Sequence, residues 1–285
     1  MNYITLNNGL KVPAISFGVF RITDMAECEE VVFQAIKAGY RYIDTASAYE
    51  NEEAVGRAIK RSGIQREELF IATKLWVTDT NYEGAKRGLE RSLKRLGLTY
   101  VDLFIIHQPY NDYYGAWRAM EEMYKLGKIR AIGIDNFTQE RLADFITFNQ
   151  ELPAVNLIEV NPFYQREEDI AFIKEKNIQT VAWSPLGAGN KNIFENEVLV
   201  ELSNKYNRSI AQIVLRWLYQ RNIIPIVKTV NTERMKKNIA IFDFEISNED
   251  MELIAQIDTK HSCFTGRTTG ASVEEFLSEA KNYKI

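Results

Sequence analysis

Asp44, Tyr49, Lys74 and His107 are the residues of this chain best suited to proton chemistry, and each lies just beyond a short apolar run. Asp44 and Tyr49 follow Tyr40-Arg-Tyr-Ile43, Lys74 follows Phe70-Ile-Ala-Thr73, and His107 follows Leu103-Phe-Ile-Ile106. A tyrosine hydroxyl ordinarily titrates near about 10, and a neighbouring cation favours its phenolate. Lys74 can supply that cation, Asp44 can hold the ammonium in place, and His107 can donate a hydrogen bond to a substrate oxygen. Such a group suits protonation of the oxyanion that forms when a carbonyl accepts hydride. Each residue also has an ordinary reading: a surface aromatic, a solvated lysine, a turn-capping aspartate, a histidine at the core edge. It is the set that carries the argument.

Something must bring these positions together. Strand-length apolar runs recur at Ile15–Val19, Tyr40–Ile43, Leu69–Ala72, Val101–Ile106, Ile129–Ile134, Val155–Val160, Ile178–Trp183 and Ile223–Val227. Several are almost continuously apolar, as parallel strands covered on both faces are. Between them lie stripes at helical spacing: Val31/Val32/Ala35/Ile36, Ala54/Val55/Ala58/Ile59, Ala85/Leu89/Leu93/Leu96 and Ile210/Ile213/Val214/Trp217/Leu218. Eight strand–helix units predict a parallel sheet closed into a (β/α)8 TIM barrel, whose C-terminal strand ends meet at one mouth. Asn7-Asn8-Gly9 predicts an N-terminal β-hairpin capping the barrel bottom. Residues 258–285 read as a C-terminal loop over the site, bent at Gly266 and Gly270. The rival fold, an open doubly wound sheet, usually carries a Gly-rich turn after its first strand, and Gly18-Val-Phe-Arg21 is not one.

The chain has 285 residues, 46% hydrophobic and 26% charged, with a net charge of −4. That suits a single barrel domain spanning 1–285 and argues against nucleic acid as a partner. No apolar run is long enough to span a bilayer, and no secretion signal is evident, so membrane association is not expected. Cys28 and Cys263 form neither a disulfide framework nor a zinc spacing. No metal is expected, and the expected location is the reducing cytoplasm.

Local sequence goes further. Gly39-Tyr-Arg-Tyr-Ile-Asp44-Thr-Ala-Ser-Ala-Tyr49-Glu-Asn-Glu resembles the signature of the aldo-keto reductases. So do Ile71-Ala-Thr-Lys74-Leu-Trp76, Val101-Asp-Leu-Phe-Ile-Ile-His107-Gln-Pro109, Gly127-Lys-Ile-Arg-Ala-Ile-Gly133, Asn161-Pro-Phe-Tyr164 and Trp183-Ser-Pro-Leu-Gly187. The resemblance runs from about residue 3 to residue 260. It implies a barrel that reduces aldehydes and ketones with NADPH, acting on a small-molecule carbonyl substrate, as a monomer. It makes Tyr49 the proton donor, tuned by Lys74 and Asp44, with His107 orienting the carbonyl. It also accounts for the absence of a Gly-rich dinucleotide motif.

Lys228 and Arg234, in Lys228-Thr229-Val-Asn-Thr-Glu-Arg234-Met-Lys-Lys237-Asn238, are a charge pair suited to a 2′-phosphate, and Thr229 adds a hydroxyl. The resemblance supports that reading, extends the cofactor-binding segment to Asn238, and favours NADPH over NADH. It places Trp183 against the nicotinamide, with Ser184 and Leu186 along the pyrophosphate. Asp135 stands where relatives commonly have Ser in the carboxamide clamp, beside the matching Asn136, and Leu157 stands for a Gln. Either Asp135 accepts a hydrogen bond from the carboxamide or it points to solvent and shapes the turn. Phe20 and Trp76 match the usual apolar pocket walls, and Gln108 replaces a common Trp. A cofactor-binding but non-catalytic member of the same fold is the alternative function. A barrel hydrolase or isomerase would leave Lys228 and Arg234 without a role.

Overall fold

In the computed structural model, which describes residues 1–189, 191–264, 266, 267 and 269–283, eight strands close into a parallel barrel. They are β3 (Ser16–Gly18), β4 (Tyr42–Asp44), β5 (Phe70–Leu75), β6 (Leu103–Ile106), β7 (Ile132–Asp135), β8 (Val155–Glu159), β9 (Gln179–Trp183) and β10 (Ile224–Val227). Neighbours in sequence are neighbours in space, and β10 pairs with β3 to close the ring. Two short strands precede them, β1 (Tyr3–Thr5) and β2 (Lys11–Pro13), paired antiparallel through the expected hairpin.

Each barrel strand alternates faces, so residues two apart share a side. Ile43, Ile71, Phe104, Ile106, Ile132, Ile134 and Ile158 face outward into the layer between barrel and helices. Tyr42, Phe70, Ala72, Leu103, Ile105, Val155, Leu157, Val181 and Ile224 face inward and pack with Leu6 and Val12 of the hairpin. The hairpin thereby plugs the N-terminal end, fastened where Asn7 Nδ2 donates to Pro153 O at 2.9 Å and Asn8 Nδ2 to Arg130 O at 3.0 Å. The inside allows little room at β7: a Cβ on Gly133 would meet Val155 Cγ2 at 2.5 Å.

The outer layer comes from the predicted stripes. Helix α1 (Met25–Lys37) buries Val31, Val32, Ala35 and Ile36, α2 (Glu52–Ser62) buries Ala54, Val55, Ala58 and Ile59, and α3 (Tyr82–Leu96) buries Ala85, Leu89, Leu93 and Leu96. Helix α3 starts where Asn81 accepts from Gly84 N and stops at Gly97, whose φ of 66° only glycine adopts cheaply. There follow α4 (Tyr113–Lys125), α5 (Gln139–Phe148), α6 (Glu167–Glu175), α7 (Lys191–Glu195), α8 (Glu197–Tyr206), α9 (Ile210–Gln220), α10 (Thr232–Ile239) and α11 (Asn248–Ala255).

The tail departs from expectation. It is not only a bent loop: Gly270 opens an 11-residue helix, α12 (Gly270–Ala280), with Thr269 and Ser272 forming a capping box. Phe276, Leu277 and Ala280 pack from this helix against Trp76 and Val77 at the barrel mouth.

Candidate active site

The inward face of the barrel is apolar at its base and polar at its mouth. Two residues beyond inward Tyr42 comes Asp44, beyond Ala72 comes Lys74, beyond Ile105 comes His107, and beyond Val181 comes Trp183. Asp135 follows Gly133 and Glu159 follows Leu157 in the same way. Strand alternation thus delivers the polar residues to one level at the C-terminal ends.

Tyr49 is not on a strand. After β4 the chain turns through a short 3₁₀ helix, Ser47–Tyr49, and reverses at Glu50, whose φ is 56°. Buried hydrogen bonds fix that turn. Ser47 Oγ donates to Lys74 O at 2.9 Å and Thr45 Oγ1 to Asn51 Oδ1 at 2.9 Å, while Asn51 Nδ2 donates to Val19 O at 3.0 Å and Ile22 O at 3.1 Å. Thr73 Oγ1 donates to Glu52 Oε1 at 2.6 Å, tying the start of α2 to β5.

The structure brings Asp44, Tyr49, Lys74 and His107 together. Lys74 is fully enclosed, with its ammonium ion-paired to Asp44 and donating to Thr45 O at 3.0 Å. It also lies 5.1 Å from the Tyr49 ring centroid. The Tyr49 and His107 rings meet edge to face at 5.7 Å. Phe20 flanks Tyr49 at 5.0 Å and Trp76 flanks His107 at 5.2 Å. Gln108 is buried beside them.

Electrostatics assigns protonation states. Burial pushes the Tyr49 phenol up to about 12; Lys74 pulls it down, and Asp44 and Asp135 push it up again. The expected pull toward phenolate is therefore outweighed, and Tyr49 holds its proton. Burial alone would lower Lys74, but Asp44, Tyr49 and Asp135 outweigh it and hold the ammonium above its ordinary range. Burial, with Lys74 and Arg267, holds the His107 imidazole well below its usual value, so it is neutral. Its Nδ1 has no partner among the described residues.

Asp135 does not point to solvent, which disposes of the simpler reading of that residue. It is 3% exposed, and its Oδ1 has no partner among the described residues. Burial and the Asp44 carboxylate push its carboxyl well above the usual carboxylate range, against the pull of Lys74 and Arg267. Leu157, its register partner on β8, is enclosed in the apolar interior. Asn136 bridges the next step: its φ is 65°, its N donates to Leu157 O at 2.8 Å, and its Oδ1 accepts from Trp183 Nε1 at 3.1 Å. Ser184, with φ 53°, and half-buried Leu186 follow Trp183 on the rim.

Lys228 and Thr229 leave the end of β10, the next strand round the ring from β9. Asn231 caps α10 by accepting from Arg234 N at 2.9 Å. Lys228 and Arg234 are exposed and have no ion pair among the described residues, while Asn238 is buried in the helix. Two cations without an ion pair among the described residues and a hydroxyl near a helix start have the chemistry to hold a phosphate.

Sequence reasoning missed Thr45, Asn51 and Glu52, the braces of the Tyr49 turn. It also missed Glu159, the anchor of the tail. Cys263 N donates to Glu159 Oε1 at 2.9 Å, the Ser262 hydroxyl donates to Oε2, and Asn161 Nδ2 to Oε1 at 3.0 Å. A carboxylate two residues past inward Leu157 was the available signal. Trp76 Nε1 donates to Ala280 O at 3.1 Å, which fastens α12 over the same mouth.

This barrel and mouth match known proteins along most of the chain. The model of the Aldo/keto reductase family matches residues 14–259. The chain belongs to that family. It is 45% identical to glyoxal reductase of Bacillus subtilis over 252 residues, 88% of this chain and 91% of that protein. The crystal structure of an aldo-keto reductase from a Medee basin deep-sea metagenome library superposes with a TM-score of 0.91 at 38% identity, covering 93% of this chain and 98% of that one. A Bombyx mori aldo-keto reductase in complex with NADP gives 0.88 at 32% identity, covering 99% and 97%. As a member of this aldo-keto reductase family the chain is an oxidoreductase.

Proposed function

We propose that the chain reduces aldehydes and ketones to alcohols with NADPH, Tyr49 giving the proton. The observation that carries this is the convergence of a protonated phenol and a neutral imidazole, its Nδ1 without a partner among the described residues, beside a buried ammonium. A carbonyl oxygen placed between Tyr49 and His107 accepts a hydrogen bond from each. When bound, NADPH supplies the hydride. As the carbonyl carbon receives it, the C=O π pair moves onto oxygen and that oxygen takes the Tyr49 proton. Lys74 stabilises the phenolate left behind, and Asp44 keeps Lys74 charged and fixed. Trp76 and Phe20 exclude water from this point. Lys228, Thr229 and Arg234 would hold the 2′-phosphate with Asn238 behind them in α10, and Asp135, Asn136, Trp183, Ser184 and Leu186 would contact the rest of the cofactor. The reading extends to a monomeric cytoplasmic enzyme. Among the described residues no helix is long and apolar enough to cross a membrane.

NADPH oxidation followed with a panel of aldehydes and ketones tests the reading. Tyr49→Phe should lower kcat by about 10²–10⁴-fold while NADPH still binds and quenches protein fluorescence. Full activity in that variant would overturn the assignment of the proton donor. Tight NADPH binding with no turnover of any carbonyl by the native chain would instead favour a non-catalytic member of the fold.

A further inference from the structure

The tail contributes a cation to the mouth. Arg267 lies between the Glu159 anchor and α12, and its Nη1 donates to Gln108 Oε1 at 2.7 Å. Gln108 immediately follows His107 and is 6% exposed, so a buried polar side chain fixes the arginine beside the reacting centre. The guanidinium also stacks 3.6 Å over the ring of Phe276. Phe276 packs on Trp76 at 5.9 Å, and Trp76 on His107 at 5.2 Å. A continuous aromatic chain therefore runs from the catalytic histidine to the arginine.

Arg267 is exposed on its outer side and has no ion pair among the described residues. Its charge reaches both His107 and Asp135. Glu159, another carboxylate of the mouth, is occupied by Ser262, Cys263 and Asn161. A stacked guanidinium held at one nitrogen keeps further donors in a fixed fork, the geometry that matches a carboxylate and that a lysine cannot reproduce.

We propose that Arg267 is a specificity-determining residue that selects carbonyl substrates carrying a carboxylate, with Gln108 as its positioning residue. This rests on the carbonyl-reductase reading above. The carbonyl occupies the Tyr49–His107 point, and the carboxylate extends outward to the guanidinium. No charge has to be buried without a partner, because the arginine already waits there.

Matched pairs test this: glyoxylate against acetaldehyde, and succinic semialdehyde against butanal, with NADPH. The native enzyme should prefer the acid in kcat/KM at one of the two lengths at least. Arg267→Met should lower that acid-to-neutral ratio by about 10–100-fold, the span of a charge-assisted hydrogen bond, chiefly by raising KM for the acid. Gln108→Leu should move the ratio in the same direction, and Arg267→Lys should retain part of it. Turnover of the neutral aldehydes with a ratio that Arg267→Met leaves unmoved, or no acid preference at either length, overturns the carboxylate reading alone. Absence of turnover with every carbonyl overturns the reductase reading and this one with it.

Discussion

Lys74→Met separates the two tasks of the buried ion pair. In the native chain the Lys74 and Asp44 side chains are 2% and 3% exposed, and Asp44 Oδ2 has no partner among the described residues even with the lysine present. Methionine fills most of the volume, so the cavity contribution is small. What remains is a carboxylate enclosed without a counter-ion, which costs about 3–5 kcal/mol, plus a Thr45 carbonyl deprived of its 3.0 Å donor. For a chain of this size that corresponds to a Tm lower by roughly 5–8 °C near neutral pH. The penalty must depend on pH in one direction. Without Lys74 the folded-state pKa of Asp44 rises further, so the folded protein holds a proton that the unfolded chain has released. Stability then falls as pH climbs above the unfolded carboxylate's value of about 4, by up to about 1.4 kcal/mol per unit, until Asp44 is ionised in the folded state too. Thermal melts of the native protein and Lys74→Met across that range, with Lys74→Met/Asp44→Asn as the control, make the test. The deficit should widen from acid to neutral pH and should shrink by more than half in the double variant, which buries no charge. A deficit independent of pH, or one the Asp44→Asn substitution fails to relieve, would refute the ion-pair argument. NADPH oxidation should be severely impaired in both variants, because neither supplies a cation to the Tyr49 phenolate.

Two further substitutions address the cofactor. Arg234→Met should weaken NADPH binding by about 10–100-fold and shift NADH binding by less than about threefold, since only NADPH carries the 2′-phosphate; equal losses for both cofactors in fluorescence titrations would remove Arg234 from that cradle. Asp135→Asn should abolish a pH dependence. A cationic oxidised nicotinamide near the carboxyl favours its ionised form, so raising pH through the elevated Asp135 value should tighten NADP⁺ relative to NADPH in the native enzyme and leave the ratio flat in the variant. A native ratio that does not change with pH would show that Asp135 does not sense the ring.

The barrel was legible because its strands announce themselves by composition, yet their edges were not. Val101–Ile106 reads as one apolar run, but β6 begins only at Leu103. Val101 makes an isolated bridge to Ile129. Asp102 between them turns aside, accepting from Arg66, Arg130 and Ile71 N. Tyr40 likewise drops out of β4 and packs edge-on against Phe17 at 5.2 Å. The four residues proposed for catalysis were legible because each lies just beyond an apolar run, whereas the direction of Asp135 was not, because at the end of a strand it depends on register. Parity with Gly133, opposite to the outward Ile132 and Ile134, held that information. Helix α12 hid behind its glycines. Val273, Phe276, Leu277 and Ala280 recur at helical spacing, but Gly266 and Gly270 read as breaks, and nothing local shows that Trp76 waits to receive the helix.

The mouth has a charge pattern that a bare pocket would not keep. Asp44 and Lys74 cancel each other in near-complete burial, so they cost the site no net charge. Asp135 and Arg267 are not cancelled in this way: the carboxyl is enclosed with one oxygen partnerless, and the guanidinium is held by a neutral amide and an aromatic face. An uncompensated acid at the floor suits a ligand that becomes positive there, and an uncompensated base at the rim suits one that is negative from the start. On the proposed chemistry, Asp135 would lie near a ring that is neutral when reduced and cationic when oxidised, and Arg267 would face a substrate carboxylate whose charge is the same before and after reduction. The acid would then act on the cofactor's redox state and the base on the substrate's identity. Exchanging the two roles would fail, because a guanidinium at the floor would oppose the oxidised ring and a carboxylate at the rim would repel an acidic substrate.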